Sequence, residues 1–201
     1  MNPLGQISAF ILAGGESTRM GRDKARLELG GVPLILRTAR LVESVAGAPP
    51  AIIGNPVAYR TLHLRAIPDD WPGAGPLGGI ATALHAAATP WSLIVATDLP
   101  YLTLEWLQYL IARGLASSAD AVVAMNAQGP EPLCAMYHER AEPVFRGLVE
   151  SDMRKVTLAL LDIRVEAIAP AEWKRFDSEG LLFKNMNLPE DYEEARAKLG
   201  E

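Results

Sequence analysis

Cysteine is almost missing from this 201-residue sequence: Cys134 stands alone. No intrachain disulfide can form, and a lone thiol reads as a buried, inert core residue. Long apolar runs are missing as well. No stretch approaches the roughly 18 residues of a membrane span, so no membrane partner is expected. Met1 to Gln6 lacks the charged and apolar regions of a secretory signal, which makes the cytoplasm the expected compartment. Positive charge is in deficit, with 19 Lys and Arg against 24 Asp and Glu and a net charge of -5. That argues against a broad nucleic-acid surface, and no nucleic-acid partner is expected. Any anionic ligand must be held locally, by a few basic side chains and backbone N–H groups. The three histidines, His63, His85 and His138, show no ligand spacing and are expected to be structural or exposed. No Ser/His/Asp or Cys/His set offers itself for nucleophilic catalysis, and no repeat, linker or low-complexity segment divides the chain.

What remains is an ordinary globular composition, 49% hydrophobic and 21% charged, long enough to bury a core without cross-links. Ile7 to Leu12 is a short apolar run ending in Gly14-Gly15 and predicts a buried strand. Pro33 opens an apolar-periodic stretch, Leu34 to Val45, and proline is favoured at the first helical position. Strands are predicted at Ala51 to Gly54, Arg65 to Pro68 and Trp91 to Ala96, and a helix at Gly78 to Ala88. Alternation to Val123 predicts βαβ units and a mostly parallel sheet. Beyond it the pattern gives strands at Leu133 to Tyr137, Arg164 to Ile168 and Leu182 to Lys184. Helices are expected at Ala141 to Val149, Val156 to Leu161 and Pro189 to Leu199. One α/β domain over 1–201 is the economical reading.

The segment Leu12-Ala13-Gly14-Gly15-Glu16-Ser17-Thr18-Arg19-Met20-Gly21-Arg22-Asp23-Lys24 reads as a nucleoside-triphosphate-binding loop. It follows a strand, at the edge where open α/β sheets bind ligands. Gly14 and Gly15 lack Cβ atoms, so the backbone can approach a ligand and line up N–H groups as an anion nest. Ser17 and Thr18 add hydroxyl donors, and Arg19 and Lys24 add charge. The pattern is neither a dinucleotide fingerprint nor a Walker loop, which would end in Gly-Lys-Ser/Thr. Asp98 ends an apolar strand; it suits either Mg²⁺, which binds one or two carboxylates plus substrate phosphates, or a turn before Pro100. Gly73 to Gly79 is a second glycine-rich turn opening a helix, whose N-terminus favours anions. Asn55 and Asp69 follow strands where a base or ribose could be read, with Asp70 competing for the second place and turn capping as the plain alternative. Arg154-Lys155 is either a phosphate site or a solvated pair.

Taken together, these segments resemble the molybdenum cofactor guanylyltransferase family, in which Leu-Ala-Gly-Gly, Arg-Met-Gly and Asp-Lys occur at this spacing. Related cytidylyl- and sugar-phosphate nucleotidyltransferases usually begin Leu-Ala-Ala-Gly, so Gly14 leans toward the guanylyl branch. Leu99-Pro100-Tyr101-Leu102 is similar to the segment after the family's metal-binding Asp. Gly75 to Gly79 matches its Gly-Pro-Leu-x-Gly. Asn185-Met186-Asn187-Leu188-Pro189-Glu190-Asp191 resembles its late Asn-x-Asn-Thr-Pro motif, with Leu188 in place of Thr and Asn187 available for the helix cap. The resemblance implies a three-layer αβα, Rossmann-like sheet of the nucleotide-diphospho-sugar transferase type. Its nucleotide-binding half comes first and its acceptor-binding half second. It implies GMP transfer from GTP to molybdenum-molybdopterin with release of pyrophosphate, aided by Mg²⁺ on Asp98, with Mn²⁺ an acceptable substitute. Lys24, Asp98 and Arg19 would be catalytic. Leu12, Ala13, Gly14, Gly15, Lys24, Asn55, Asp69, Gly75, Gly79 and Asp98 would bind the nucleotide, and Arg154, Lys155, Asn185 and Asn187 the acceptor. Molybdenum-insertion proteins and molybdoenzyme chaperones are the protein partners the resemblance suggests. A cytidylyltransferase using CTP, another small phosphate-acceptor transferase, and a non-catalytic nucleotide sensor are the rival readings.

Overall fold

The computed structural model describes residues 6–13 and 24–199, with Lys24 described by its backbone alone. Ile7–Leu12 forms β1. A 3-10 turn at Lys24–Arg26 leads to a small hairpin of β2 (Glu28–Leu29) and β3 (Val32–Pro33). Gly30 and Gly31 close it with φ of 60° and 71°, the pair of positive values that a two-residue hairpin turn needs. α1 spans Leu34–Ala46 and ends on left-handed Gly47, a common helix stop. Pro33 sits one place earlier than its sequence suggests, in extended backbone at the N-cap. Its fixed φ serves the end of β3 as well as a helix start.

β4 (Ala51–Ile53), the one-turn α2 (Pro56–Tyr59) and β5 (Ala66–Ile67) follow. Then come α3 (Gly75–His85), β6 (Trp91–Ala96) and α4 (Leu104–Ala116). The second half holds β7 (Ala121–Asn126), β8 (Gly129–His138), α5 (Glu142–Glu150), α6 (Val156–Ala159), β9 (Val165–Ile168), α7 (Pro170–Trp173) and α8 (Pro189–Leu199). α3 begins a turn earlier than its alanines suggest. Pro76 lies in the first turn, where no N–H is needed, so it opens the helix rather than blocking it.

Seven strands form one sheet in the order β5-β4-β1-β6-β8-β7-β9. Only β8 runs against the others, so the sheet is mostly parallel. α1 and α4 cover one face, around Val42, Trp106 and Leu110; α3, α5 and α6 cover the other, around Leu77, Ile80 and Phe145. The result is a single three-layer αβα unit. β6 is buried at all six positions, as a strand covered on both faces must be. Cys134 lies in this core and accepts a hydrogen bond from Trp106 Nε1 at 3.3 Å; burial pushes its thiol up to about 12. His138 packs edge-on against Trp91, while His63 and His85 are exposed.

One expected strand does not form. Leu182–Lys184 is a turn, with Lys184 N donating to Leu181 O at 2.8 Å. Its apolar character comes from plugging the core: Leu182 is buried, and Phe183 meets Trp106 and Trp173 edge-on. Burial against aromatic rings and burial in a sheet leave the same short apolar run.

Candidate active site at the carboxyl edge of the sheet

The chain leaves β1 toward β4 and β5 on one side, then returns to lay β6 on the other. Strand order therefore reverses between β1 and β6, and the crevice outside their carboxyl ends is where such sheets bind ligands. The two ends are tied together. Leu12 O accepts from Thr97 N at 3.1 Å and from Thr97 Oγ1 at 2.9 Å. Ala13 N donates to Ile53 O at 3.0 Å, and Tyr59 Oη donates to Ala13 O at 2.9 Å. The exit from β1 is thus held on both sides just before the glycine-rich segment. Gly14, Gly15 and Arg19, together with the side chain of Lys24, lie outside the described residues.

On the β4 and β5 side, Asn55 is exposed and caps α2, its Oδ1 accepting from Val57 N at 3.0 Å. Asp69 is half-buried. Its Oδ1 accepts from Trp71 N at 2.9 Å and lies 3.0 Å from Thr82 Oγ1, a buried hydroxyl on α3. Thr82 Oγ1 also accepts from Asp70 N at 3.0 Å. Asp69 is therefore the anchored acid of the pair and Asp70 the exposed one. α3 opens on this edge with Gly75 exposed at φ 66°, no side-chain cap and no acid in its first turn. Gly79 faces inward: a Cβ there would stand 3.3 Å from Leu12 Cδ2. Gly78 is tighter still, 2.8 Å from Ala74 Cβ. Gly79 lets α3 lie close on β1, Gly78 lets the helix start pack on Ala74 and Trp71, and Gly75 is the one at the surface.

On the β6 side, Asp98 follows Thr97 and is half-buried. Its main-chain O accepts from Met186 N at 2.9 Å. That bond brings Asn185 and Asn187, one on each side of Met186, to the metal-binding candidate across 88 residues of chain. Met186 itself is buried with Leu29, Leu34 and Ala195, an anchor worth about 2 kcal/mol by its apolar burial. Asp191 holds the start of α8: its Oδ2 accepts from Asn187 N at 2.9 Å and Leu188 N at 2.8 Å. An acid three residues into a helix commonly reaches back in this way, so this half of the cap forms with leucine at 188. Arg154 stands elsewhere, on the α3 face, donating to Gly73 O and pairing with Asp152 at 2.6 Å. Lys155 is exposed at the start of α6. The four expected acceptor residues thus fall into two groups on opposite faces of the edge.

Residues 9–163 match the MobA-like NTP transferase domain family. The chain belongs to that family. A probable molybdenum cofactor guanylyltransferase of Natronomonas pharaonis is 36% identical, covering 98% of this chain and all of that one. One from Opitutus terrae is 35% identical over 96% of each. Among solved structures, the molybdopterin-guanine dinucleotide biosynthesis protein A of Archaeoglobus fulgidus superposes with a TM-score of 0.83 at 25% identity, covering 95% of this chain and 97% of that one. A 2-C-methyl-D-erythritol 4-phosphate cytidylyltransferase from Thermus thermophilus shares the fold at a TM-score of 0.67 and 18% identity, covering 96% and 98%. Within this MobA-like domain, Tyr59, Thr82 and Thr97 position the edge, yet the sequence gives no signal for them. Their partners lie 46, 13 and 85 residues away, and only folding brings them together.

Proposed function

We propose that this chain transfers GMP from GTP to molybdenum-molybdopterin, forming the guanine dinucleotide form of the cofactor and releasing pyrophosphate. The observation that carries this reading is the bond from Met186 N to Asp98 O. It brings the backbone on either side of Met186, and so Asn185 and Asn187, next to Asp98 at the switch point. The guanylyltransferases that match over nearly the full chain support the nucleotide and the acceptor.

In this reading the nucleotide lies over β1, β4 and β5. Leu12 and Ala13 lead into Gly14 and Gly15 at the phosphates, Asn55 and Asp69 read the base or ribose, and Gly75 opens α3 toward the anion. Gly79 serves indirectly, by letting α3 approach. The acceptor lies beyond β6, near Asn185 and Asn187, with Arg154 and Lys155 reaching its phosphate from the other face.

Chemistry then needs little beyond placement. An oxygen of the acceptor's terminal phosphate attacks the α-phosphorus in line. The new bond joins that oxygen to the α-phosphorus, and the bond to the β-phosphate oxygen breaks, leaving pyrophosphate. A phosphate oxygen at neutral pH is already a nucleophile, so no strong base is required. Catalysis is positioning and charge neutralisation, with Lys24 and Arg19 countering the charge on the leaving group. The chemistry of Asp98 fits a hard divalent cation, which takes carboxylate oxygens together with substrate phosphates. Among the described residues no group of three or more His, Cys, Asp or Glu is placed to hold a metal. Mg²⁺ held by Asp98, with Mn²⁺ as a substitute, would neutralise phosphate charge there.

The test is pyrophosphate release with molybdopterin and Mg²⁺, with GTP and CTP assayed in parallel. Turnover with GTP at least tenfold above CTP is expected. A CTP preference would overturn the guanylyl assignment, and nucleotide binding without turnover would favour a sensor.

A further inference from the structure

The hairpin joining β7 to β8 turns over at the same carboxyl edge as Asp98. β8 is antiparallel to β6, so β8 begins where β6 ends. Their ladder runs from Trp91–His138 to Val95–Cys134 and stops there. Beyond the stop, Thr97-Asp98 leaves one strand and Glu131 stands on the other. Against β7 the ladder is broken too. Val123 pairs with Ala135 and Met125 with Pro130, so two steps on β7 are matched by five on β8. Glu131 lies in the surplus, bracketed by Pro130 and Pro132, which have no N–H to give a ladder. Bulges of this kind re-aim side chains and recur beside active sites.

The bulge is held firmly. Tyr137 Oη donates to Pro132 O at 2.8 Å, and Trp173 Nε1 donates to Met125 O at 2.7 Å. Asn126 Oδ1 accepts from Gln128 N at 2.7 Å, which fixes its amide, and that amide donates to Glu131 Oε1. Glu131 is half-buried, and among the described residues no ion pair includes it. A partly desolvated carboxylate without a cation is costly unless further donors reach it, and burial alone pushes its carboxyl up to about 7.

We infer that Glu131 recognises the acceptor, its carboxylate taking the paired N–H donors of the pterin's aminopyrimidinone edge. This rests on the guanylyltransferase reading above. The acceptor's phosphate and sulfur groups are anionic and would be repelled by a carboxylate. The pterin edge is its donor-rich part, presenting a ring N–H beside an exocyclic amine at the spacing of two carboxylate oxygens. Position selects the acceptor over the guanine of GTP, which offers a similar edge. Glu131 is on β8, across β6 from β4 and β5, where Asn55 and Asp69 stand.

The experiment is steady-state guanylyl transfer by the full chain, varying molybdopterin, GTP and Mg²⁺ separately, for wild type, Glu131→Gln and Asn126→Ala. Glutamine keeps the shape but turns one acceptor into a donor facing a donor. Glu131→Gln is expected to raise the KM for molybdopterin at least tenfold, with the KM for GTP, kcat and the Mg²⁺ requirement within twofold of wild type. Asn126→Ala, which frees the carboxylate without removing it, is expected to raise the same KM about threefold, and it carries the test should Glu131→Gln not fold. An unchanged molybdopterin KM would overturn the inference, as would a raised GTP KM or Mg²⁺ requirement. Absence of turnover by the wild type would overturn the guanylyltransferase reading and this inference with it.

Discussion

The two flanks of β6 are built differently. Toward β1, β4 and β5 every strand is parallel, and the two nucleotide-side candidates Asn55 and Asp69 each bond backbone close by. Asn55 bonds Val57 and Asp69 bonds Trp71, each two residues on. Toward β8, β7 and β9 the edge is a bulged hairpin, fixed by bonds that span the fold. Trp173 reaches Met125 over 48 residues, and Met186 reaches Asp98. The first flank joins local turn bonds to a β1 exit tied by Tyr59 and Thr97. The second takes its shape from tertiary packing, so distant substitutions should disturb it more. The nucleotide side is assigned to the first and the acceptor side to the second.

Asp98 stands between them, and its loss should damage both. Asp98→Ala is expected to fold, with melting temperature near that of wild type, and to lose 100-fold or more in kcat. That corresponds to about 3 kcal/mol for one preorganised contact in the transition state. Turnover at the wild-type rate would remove Asp98 from the chemistry. Lys24→Ala is expected to behave alike. Met186→Ala should separate the flanks instead. Truncating a buried methionine costs about 2–5 kcal/mol, and the loss falls on the cluster with Leu29, Leu34 and Ala195 that seats Asn185 and Asn187. A raised molybdopterin KM with an unchanged GTP KM is the expected result. Equal rises in both would show that the flanks are not independent.

Glu131 gives a pH-dependent contrast. Its folded carboxyl is raised from 4.5 to about 7 by burial. In that window the unfolded chain loses its proton first. The carboxyl's contribution to stability is therefore fully present below about 4.5 and is lost as pH rises toward 7. Glu131→Gln removes this slope. Thermal unfolding should show the variant more stable than wild type at pH 8, by a few degrees on the order expected for ~1–2 kcal/mol, and level with it at pH 4. Parallel curves for the two proteins would mean that the carboxyl is not desolvated in solution.

The contrast between flanks also explains what the sequence could tell. β1, β6 and the first helices were legible because apolar runs and periodicity are local signals, and Asp98 because it ends such a run. The late motif is legible through family resemblance, but its link to Asp98 is not, since no spacing predicts a bond across 88 residues. Glu131 carries no sequence signal of its own, because its place at the edge depends on the register of β8 with β6. Leu182–Lys184 has the pattern of a strand because aromatic packing and sheet packing select the same residues. Chain order does not reveal that α5 and α6 lie on the α3 face, which sets Arg154 apart from the late asparagines.

The smallest effect expected is on the nucleotide flank. Thr82 is fully buried, and its Oγ1 lies 3.0 Å from both Asp69 Oδ1 and Gly78 O. Thr82→Val keeps the volume but removes the hydroxyl, releasing Asp69 from α3 and leaving Asp70 N without that acceptor. A net loss of about 1 kcal/mol in stability is expected, read as a modest drop in melting temperature. Since Asp69 keeps its bond from Trp71 N, the carboxylate should loosen rather than leave. The KM for GTP should then rise about threefold with the molybdopterin KM unchanged, the opposite split from Met186→Ala. An unchanged GTP KM, with the stability loss present, would detach Asp69 from the nucleotide and shift the role to the exposed Asp70.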